Sequence, residues 1–195
     1  SILISRPTMN RKRSVKHIIR LLQEKKLDFV ICDGFSTDNT VDIAKAENAE
    51  CIMRDKPGKG FAITKCLELA SCRGYKYMAT IDCDMTYSVN DIIILYKLAD
   101  ENSFDMVVGE RPFSNIAWHR RMANYIVSFY FNLLFSSKIK DILSGLRVLK
   151  VDIFANNIYA NSFDVEPRTI AFTVKNKLNY IGIPIEYYDR IGNSK

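Results

Sequence analysis

Two histidines and five cysteines, at positions 32, 51, 66, 72 and 83, are all that this 195-residue chain offers toward soft metals or disulfides. No pair of cysteines has the C-x-x-C spacing and no histidine cluster accompanies them, so neither a zinc site nor a disulfide framework is expected. The five read as buried, reduced thiols, which favours a cytosolic compartment. Long apolar runs are also missing. None approaches the ~20 residues needed to cross a bilayer, and the first residues lack the basic-then-apolar order of a signal peptide. The chain is therefore read as soluble or lying on a surface. Internal repeats and low-complexity segments are absent. Acid is scarce at the start: residues 1–26 carry eight Lys or Arg against the single acid Glu24, the remainder is about neutral, and the net charge is +6. Such a bias suits polyanionic partners such as phosphate groups, acidic lipid or nucleic acid. No aromatics interleave those charges, which argues against single-stranded nucleic acid, and no nucleic-acid partner is expected.

With 48% hydrophobic and 26% charged residues, the chain is long enough for one well-buried domain. Ile2-Leu3-Ile4-Ser5 reads as a strand ended by Pro7. Val15, Ile18, Ile19 and Leu22 then recur at helical spacing behind Ser14. Phe29-Val30-Ile31-Cys32 is a continuous apolar run of the kind found in parallel strands covered on both faces. It ends in the turn from Asp33 to Thr40, where Asp38 is a capping candidate. A strand at 50–54, the loop Lys56-Pro57-Gly58-Lys59-Gly60 and a helix through Leu67 follow. The alternation predicts an α/β fold with a mainly parallel sheet and right-handed crossovers.

The next strand, Tyr77 to Ile81, ends in Asp82-Cys83-Asp84. Two carboxylates so close repel one another, and oxygen-only ligands favour Mg²⁺ or Mn²⁺ over zinc. Asp33 and the Asp82/Asp84 pair fall at strand ends on one rim, where open α/β sheets bind ligands. Lys59 opens a helix at the same rim, where free amides and an ammonium suit a phosphate. Its loop has neither Walker nor dinucleotide-binding spacing. Later come a helix from Asp91, a strand at Met106–Gly109, the polar turn Asp141–Arg147 before apolar Val148-Leu149, a helix from Phe163 toward Val174, and a late strand at 180–185 that Pro184 places at an edge. Between them lies an amphipathic stretch. Trp118, Met122, Tyr125, Ile126, Phe129, Tyr130, Leu133 and Leu134 share one face, with His119, Arg120, Arg121, Asn124, Ser128 and Asn132 largely opposite. Such a helix either faces the core or lies at a lipid interface.

In order, Pro7-Thr8-x-Asn10, Asp33-x-x-Ser36-x-Asp38-x-Thr40, Gly58-Lys59-Gly60-x-Ala62 and Asp82-x-Asp84 resemble the nucleotide-sugar half of family 2 glycosyltransferases with the GT-A fold. Gly109-x-Arg111, Arg120-Arg121, Asp141-x-x-Ser144-Gly145-x-Arg147, Phe163-Asp164-Val165-Glu166 and Pro184-x-x-Tyr187-x-x-Arg190-x-Gly192-x-Ser194-Lys195 resemble the dolichyl-phosphate mannose synthases and related polyprenyl-phosphate hexosyltransferases. The likeness runs from Ile2 to Lys195.

The resemblance implies one GT-A catalytic domain over 1–195, with a nucleotide-sugar half at 1–110 and an acceptor half at 111–195 that includes an interfacial helix at about 116–135. It implies that Pro7, Asp33 and Lys59 border the nucleotide pocket and that Asp82 lies under the ribose and diphosphate. Asp84, with Asp82, would hold Mg²⁺ or Mn²⁺. Arg190, Ser194 and Lys195 would close over the donor phosphates, and Arg111 with Arg121 or Arg120 would grip the acceptor phosphate. The implied reaction is inverting transfer of a hexose from a GDP- or UDP-linked donor to dolichyl or polyprenyl phosphate, by a protein peripheral on the cytosolic face of a membrane. No oligomeric state follows from it. Arg11 stands where the family has Glu, Gly34-Phe35 where a second acid follows Asp33, and Thr86 where mannose synthases have Gln, which leaves donor identity open. Two other readings stay open: a saccharide hydroxyl acceptor with Asp141 as general base, and a non-catalytic nucleotide- or lipid-binding module.

Overall fold

In a computed structural model of the chain, residues 1–53, 56, 58–112, 118–158 and 164–188 are described, the side chains of His119 and Arg120 excepted. The strands are β1 (Ile2–Thr8), β2 (Asp28–Asp33), β3 (Cys51–Met53), β4 (Tyr77–Thr80), β5 (Met106–Glu110), β6 (Arg147–Lys150) and β7 (Tyr180–Pro184). They form one sheet in the order β3-β2-β1-β4-β6-β5-β7. All pairings are parallel except those of β6, which runs antiparallel to both β4 and β5. The helices are α1 (Val15–Glu24), α2 (Thr40–Ala46), α3 (Lys59–Cys72), α4 (Val89–Glu101), α5 (Trp118–Phe135), α6 (Val151–Phe154) and α7 (Val165–Lys175).

Alternation along the strands divides the core between the two faces. Ile2 and Ile4 of β1 pack with α1, α2 and α4, while Leu3 packs with α3, α6 and α7. The four residues picked out by helical spacing in α1, Val15, Ile18, Ile19 and Leu22, are all fully buried. Each contributes about 1.5–3 kcal/mol relative to exposure.

Several expectations are corrected. Pro7 does not end β1, which continues to Thr8. The β1–β4 ladder stops at Ser5–Thr80, so Pro7 has a ladder neighbour only in β2, a position that tolerates a missing N–H. The strand expected at 50–54 is Cys51–Met53, and α4 begins at Val89, two residues before Asp91. Ser14 precedes α1 but makes no capping bond; its hydroxyl donates instead to the Cys83 carbonyl at 2.8 Å. The apolar pair Val148-Leu149 belongs to β6, the strand that breaks the parallel order. Pro184 does sit on an edge strand. None of the five cysteines is in a disulfide, but only Cys32, Cys66 and Cys83 are buried; Cys51 is half-buried and Cys72 exposed.

Of the two readings of α5, the core-facing one is corrected. Its apolar stripe faces outward: Trp118, Met122, Tyr125, Ile126, Phe129, Tyr130, Leu133 and Leu134 are exposed, whereas Asn124 and Ser128 are buried. The polar face turns inward because the segment beneath it needs donors. Asn124 Nδ2 donates to Asp141 at 2.7 Å, and Asn132 Nδ2 to the Ile139 carbonyl at 3.0 Å. Among the described residues no helix is long and apolar enough to cross a membrane.

Candidate active site

Because β6 runs backwards, its first residues join the carboxyl ends of the other strands. One rim therefore gathers the loops after β1, β2, β4 and β5, the start of α3, and the turn into β6. Pro7, Asp33, Lys59, Asp82, Asp84, Arg111 and Asp141 all lie there.

Asp33, fully buried, closes the loop after β2 by accepting from the Ser36 backbone at 2.8 Å and the Ser36 hydroxyl at 2.5 Å. That loop is tied to the one after β1. Gly34 N–H donates to the Thr8 carbonyl at 2.8 Å, Asn10 N–H to Ser36 Oγ at 2.9 Å, and Thr37 N–H to Asn10 Oδ1 at 2.9 Å.

Lys59 is the first residue of α3, and its ammonium bridges two carboxylates, Asp82 at 2.7 Å and Glu166 of α7 at 2.5 Å. Burial opposes the charged form of Lys59, but the two carboxylates outweigh it and its pKa is raised. This bridge joins the first half of the chain to the second. A diphosphate arriving beside Asp82 would meet a cation already in place.

Asp84 is buried, and its Oδ1 accepts from the Thr86 backbone at 3.3 Å and the Thr86 hydroxyl at 2.6 Å. Behind the Asp82–Asp84 turn lies Arg6 of β1, also buried, whose Nη1 donates to the Asp82 carbonyl at 3.2 Å. Burial pulls the Arg6 pKa down, while Cys83, Asp84 and Asp82 pull it back up. No sequence signal marked Arg6, which lies inside an apolar strand. Among the described residues no group of three or more His, Cys, Asp or Glu gathers as a ready-made metal cage. Asp82 and Asp84 supply oxygens alone, which fits Mg²⁺ or Mn²⁺ held by one or two carboxylates together with substrate phosphates.

The turn into β6 packs against the Asp82 side of the rim. Thr80 Oγ1 donates to the Gly145 carbonyl at 3.0 Å, and Gly145 N–H donates to Tyr87 Oη at 2.9 Å. Gly145 is pressed against the carboxylate, so that a Cβ there would lie 2.5 Å from Asp82 Oδ2. Gly145→Ala should therefore displace Asp82 and cut kcat by roughly 10–100-fold, with Tm lower by a few degrees, readable from steady-state kinetics beside thermal unfolding. Unchanged kcat would mean that the Asp82 position does not matter. Arg147, buried, latches the turn to α7: Nε donates to the Ser144 carbonyl at 3.1 Å, Nη2 to the Ile142 carbonyl at 2.6 Å, and Nη1 to the Glu166 carbonyl and Thr169 Oγ1. Burial brings its pKa down to about 10, and it stays charged at neutral pH.

On the far side of the rim Arg111 forms a two-point pair with Asp141, Nε to Oδ2 at 2.6 Å and Nη2 to Oδ1 at 2.9 Å, with its backbone N–H adding a third bond at 3.2 Å. The guanidinium carbon lies 5.5 Å from the centre of the Tyr187 ring, which in turn stands edge-on to Tyr87 at 5.4 Å. Burial would raise the Asp141 pKa, but hydrogen bonds from Arg111 and then Asn124 overcome it and hold the group below the usual carboxylate range. Asp141 is thus an ionised acceptor saturated with donors, poorly suited to take a proton. Asn124, one of its donors, falls on the polar side of its helix, and only the fold shows what it meets. Arg121 is exposed on α5, three residues before Asn124 and so on the same stripe. The Arg120 side chain, and Arg190, Ser194 and Lys195, lie outside the described residues. Tyr188, two residues short of Arg190, donates its N–H to the Thr86 carbonyl at 2.9 Å.

Residues 4–158 match the family model described as Glycosyl transferase family 2. The glycosyltransferase AglJ of Haloferax volcanii is 26% identical, over 97% of this chain and 64% of its own length. A dolichyl-phosphate hexose transferase of the same organism is 23% identical, over 85% of this chain and 72% of its own. Among solved structures, glucosyl-3-phosphoglycerate synthase from Mycobacterium tuberculosis in complex with Mn²⁺, uridine diphosphate and glucosyl-3-phosphoglycerate superposes with a TM-score of 0.74 at 15% identity, covering 100% of this chain and 72% of that one. At that identity the likeness is one of fold.

Proposed function

The chain belongs to glycosyl transferase family 2 and has the GT-A fold, and from that premise we propose that it moves a hexose from a GDP- or UDP-linked donor, with inversion, to a dolichyl or polyprenyl phosphate at a membrane surface. One observation carries the reading. The helix that turns an apolar, aromatic face outward, α5, holds on its inner face the Asn124 that bonds the Asp141–Arg111 pair. Trp, Tyr and Leu on one side with Arg121 at the start are the make-up of a helix seated in a headgroup layer. A lipid-borne phosphate arriving there would find a guanidinium close by.

We assign residues 1–110 to the donor and 111–195 mainly to the acceptor, with the turn into β6 and the terminal Arg190, Ser194 and Lys195 lent to the donor side. A phosphate monoester, with second pKa about 6, is already largely dianionic at neutral pH and needs no general base. It needs cations that overcome repulsion from the donor diphosphate, and Arg111, its fork oriented by Asp141, supplies one. A phosphate oxygen then attacks the anomeric carbon as the bond from that carbon to the diphosphate breaks, which inverts the centre. The departing nucleoside diphosphate gains negative charge beside Lys59. A divalent ion, held by Asp84 with Asp82, would supply Lewis-acid stabilisation of that charge. Arg190, Ser194 and Lys195 are assigned to the donor phosphates, in keeping with the hydrogen bond that ties Tyr188 to the loop carrying Asp84. The saturated state of Asp141 disfavours the saccharide-hydroxyl reading, which would need that group as base.

Trp118, the one tryptophan of the chain and 71% exposed, reports on the surface directly. Its emission should shift to the blue on vesicles containing polyprenyl phosphate. A Leu133→Glu, Leu134→Glu variant, at positions 68% and 77% exposed, should lose the shift and most activity on the lipid acceptor while keeping its Tm. If that variant retains full activity on vesicles, α5 does not deliver the acceptor.

A further inference from the structure

Among the described residues, eight that are not glycine have backbone φ in the left-handed region. Five of them, Lys26, Asn48, Ser103, Ser136 and Lys177, follow the ends of α1, α2, α4, α5 and α7, where helices commonly terminate in that conformation. The other three are Asn10 at φ 53°, Phe35 at 65° and Met85 at 65°. They fall one each in the loops after β1, β2 and β4, beside Pro7 and Asp33 at the ends of the first two strands and within the turn that carries Asp82 and Asp84. Backbone strain is thus concentrated on the candidate site, a pattern associated with function.

The three differ in what accounts for them. Asparagine tolerates the left-handed region. Met85 is half-buried against the hydrophobic core, so its side chain has a packing role. Phe35 has neither explanation: it is a bulky aromatic, 45% exposed, in a conformation that a glycine would adopt without penalty. Its backbone is fixed from both sides by the Asp33–Ser36 bonds and by the ties from Gly34 to Thr8 and from Asn10 to Ser36. The loop is built to hold a ring out at the rim, next to the fully buried Asp33. Met9, 42% exposed, stands on the neighbouring loop. β2 is two strands from β4, so the Phe35 loop lies about 10 Å along the rim from Asp82. That is the reach of a ribose and base from a diphosphate held there.

We propose that Phe35 is the platform on which the donor nucleobase stacks, with Met9 as its neighbour. The proposal rests on the donor-site reading above and adds to it a specific contact for the base. Every base has a π-face, so stacking there supplies affinity without choosing between uracil and guanine.

The test is calorimetric titration with UDP, GDP and pyrophosphate in the presence of Mn²⁺, using the wild-type protein, Phe35→Gly, Phe35→Leu and Phe35→Trp. Phe35→Gly relieves the backbone strain, and a purely structural Phe35 would leave nucleotide affinity unchanged. The proposal requires Phe35→Gly to weaken UDP and GDP by roughly 5–100-fold and pyrophosphate by less than twofold, with Phe35→Trp restoring both nucleotides. Phe35→Leu, which keeps apolar bulk and the same backbone demand, should also lose nucleotide affinity. Unchanged UDP and GDP binding in Phe35→Gly, or an equal loss for pyrophosphate, would overturn the assignment of Phe35 and leave the donor site standing. A wild-type protein that binds neither nucleotide would overturn the donor site itself, and this inference with it.

Discussion

Asp84→Asn should lower kcat for sugar transfer by about 10²–10³-fold while the protein remains folded. The substitution keeps the shape of the side chain and an oxygen to accept from Thr86 Oγ1, which sits 2.6 Å from Asp84 Oδ1. It removes the charge. Two consequences follow from where that charge sits. The diphosphate leaving group loses the anion that would hold a divalent ion against it, so chelating Mg²⁺ or Mn²⁺ should depress the wild type to the level of the variant and leave the variant unaffected. The buried Arg6 guanidinium also loses one of the two carboxylates that favour its charged form, so Tm should fall by several degrees without loss of cooperativity. Unchanged turnover in Asp84→Asn, or a variant as sensitive to chelation as the wild type, would remove Asp84 from the reaction.

The second large effect is at Arg111. Arg111→Ala would strand Asp141, a fully buried carboxylate, with Asn124 and the residue-111 N–H as its donors; leaving one partner of a buried pair uncompensated costs about 3–5 kcal/mol. Its loss of activity would be confounded with loss of fold. Arg111→Lys keeps the charge but not the planar fork, and it should raise the acceptor KM at least tenfold with the donor KM within twofold. In the Arg111→Ala, Asp141→Asn double variant the buried charge is gone, so stability should recover relative to Arg111→Ala while activity on the lipid phosphate stays low. A structural role alone predicts the opposite, with activity returning alongside Tm. A rise in donor KM instead would move Arg111 out of the acceptor site.

Legibility varied with the kind of information each feature needs. Parallel strands buried on both faces appear as continuous apolar runs, so the alternating order of the first half, with Asp33 and Asp82 at strand ends on one rim, could be read from spacing. The antiparallel β6 could not. Val148-Leu149 is too short a run to declare a direction, and its place between β4 and β5 is set by long-range pairing. For α5 the period could be read but not which face turns inward, because polarity marks a face without saying whether water or Asp141 will satisfy it. Lys59 was placed at the right helix start, but its partners Asp82 and Glu166 are 23 and 107 positions away, beyond any local pattern. Arg6 shows the limit most plainly. A charged residue inside a strand carries no sign of whether it faces solvent or, as here, the back of the Asp82–Asp84 turn.

The most direct measurement is transfer of labelled sugar from a panel of GDP- and UDP-linked donors to polyprenyl phosphate in vesicles, with Mg²⁺ and Mn²⁺ compared and with a water-soluble sugar and a soluble phosphate monoester offered as competing acceptors. The account predicts label in the lipid fraction for at least one donor, dependent on the metal, and little or none in the soluble acceptors. Label on the soluble sugar or the soluble monoester with none on the lipid would contradict it.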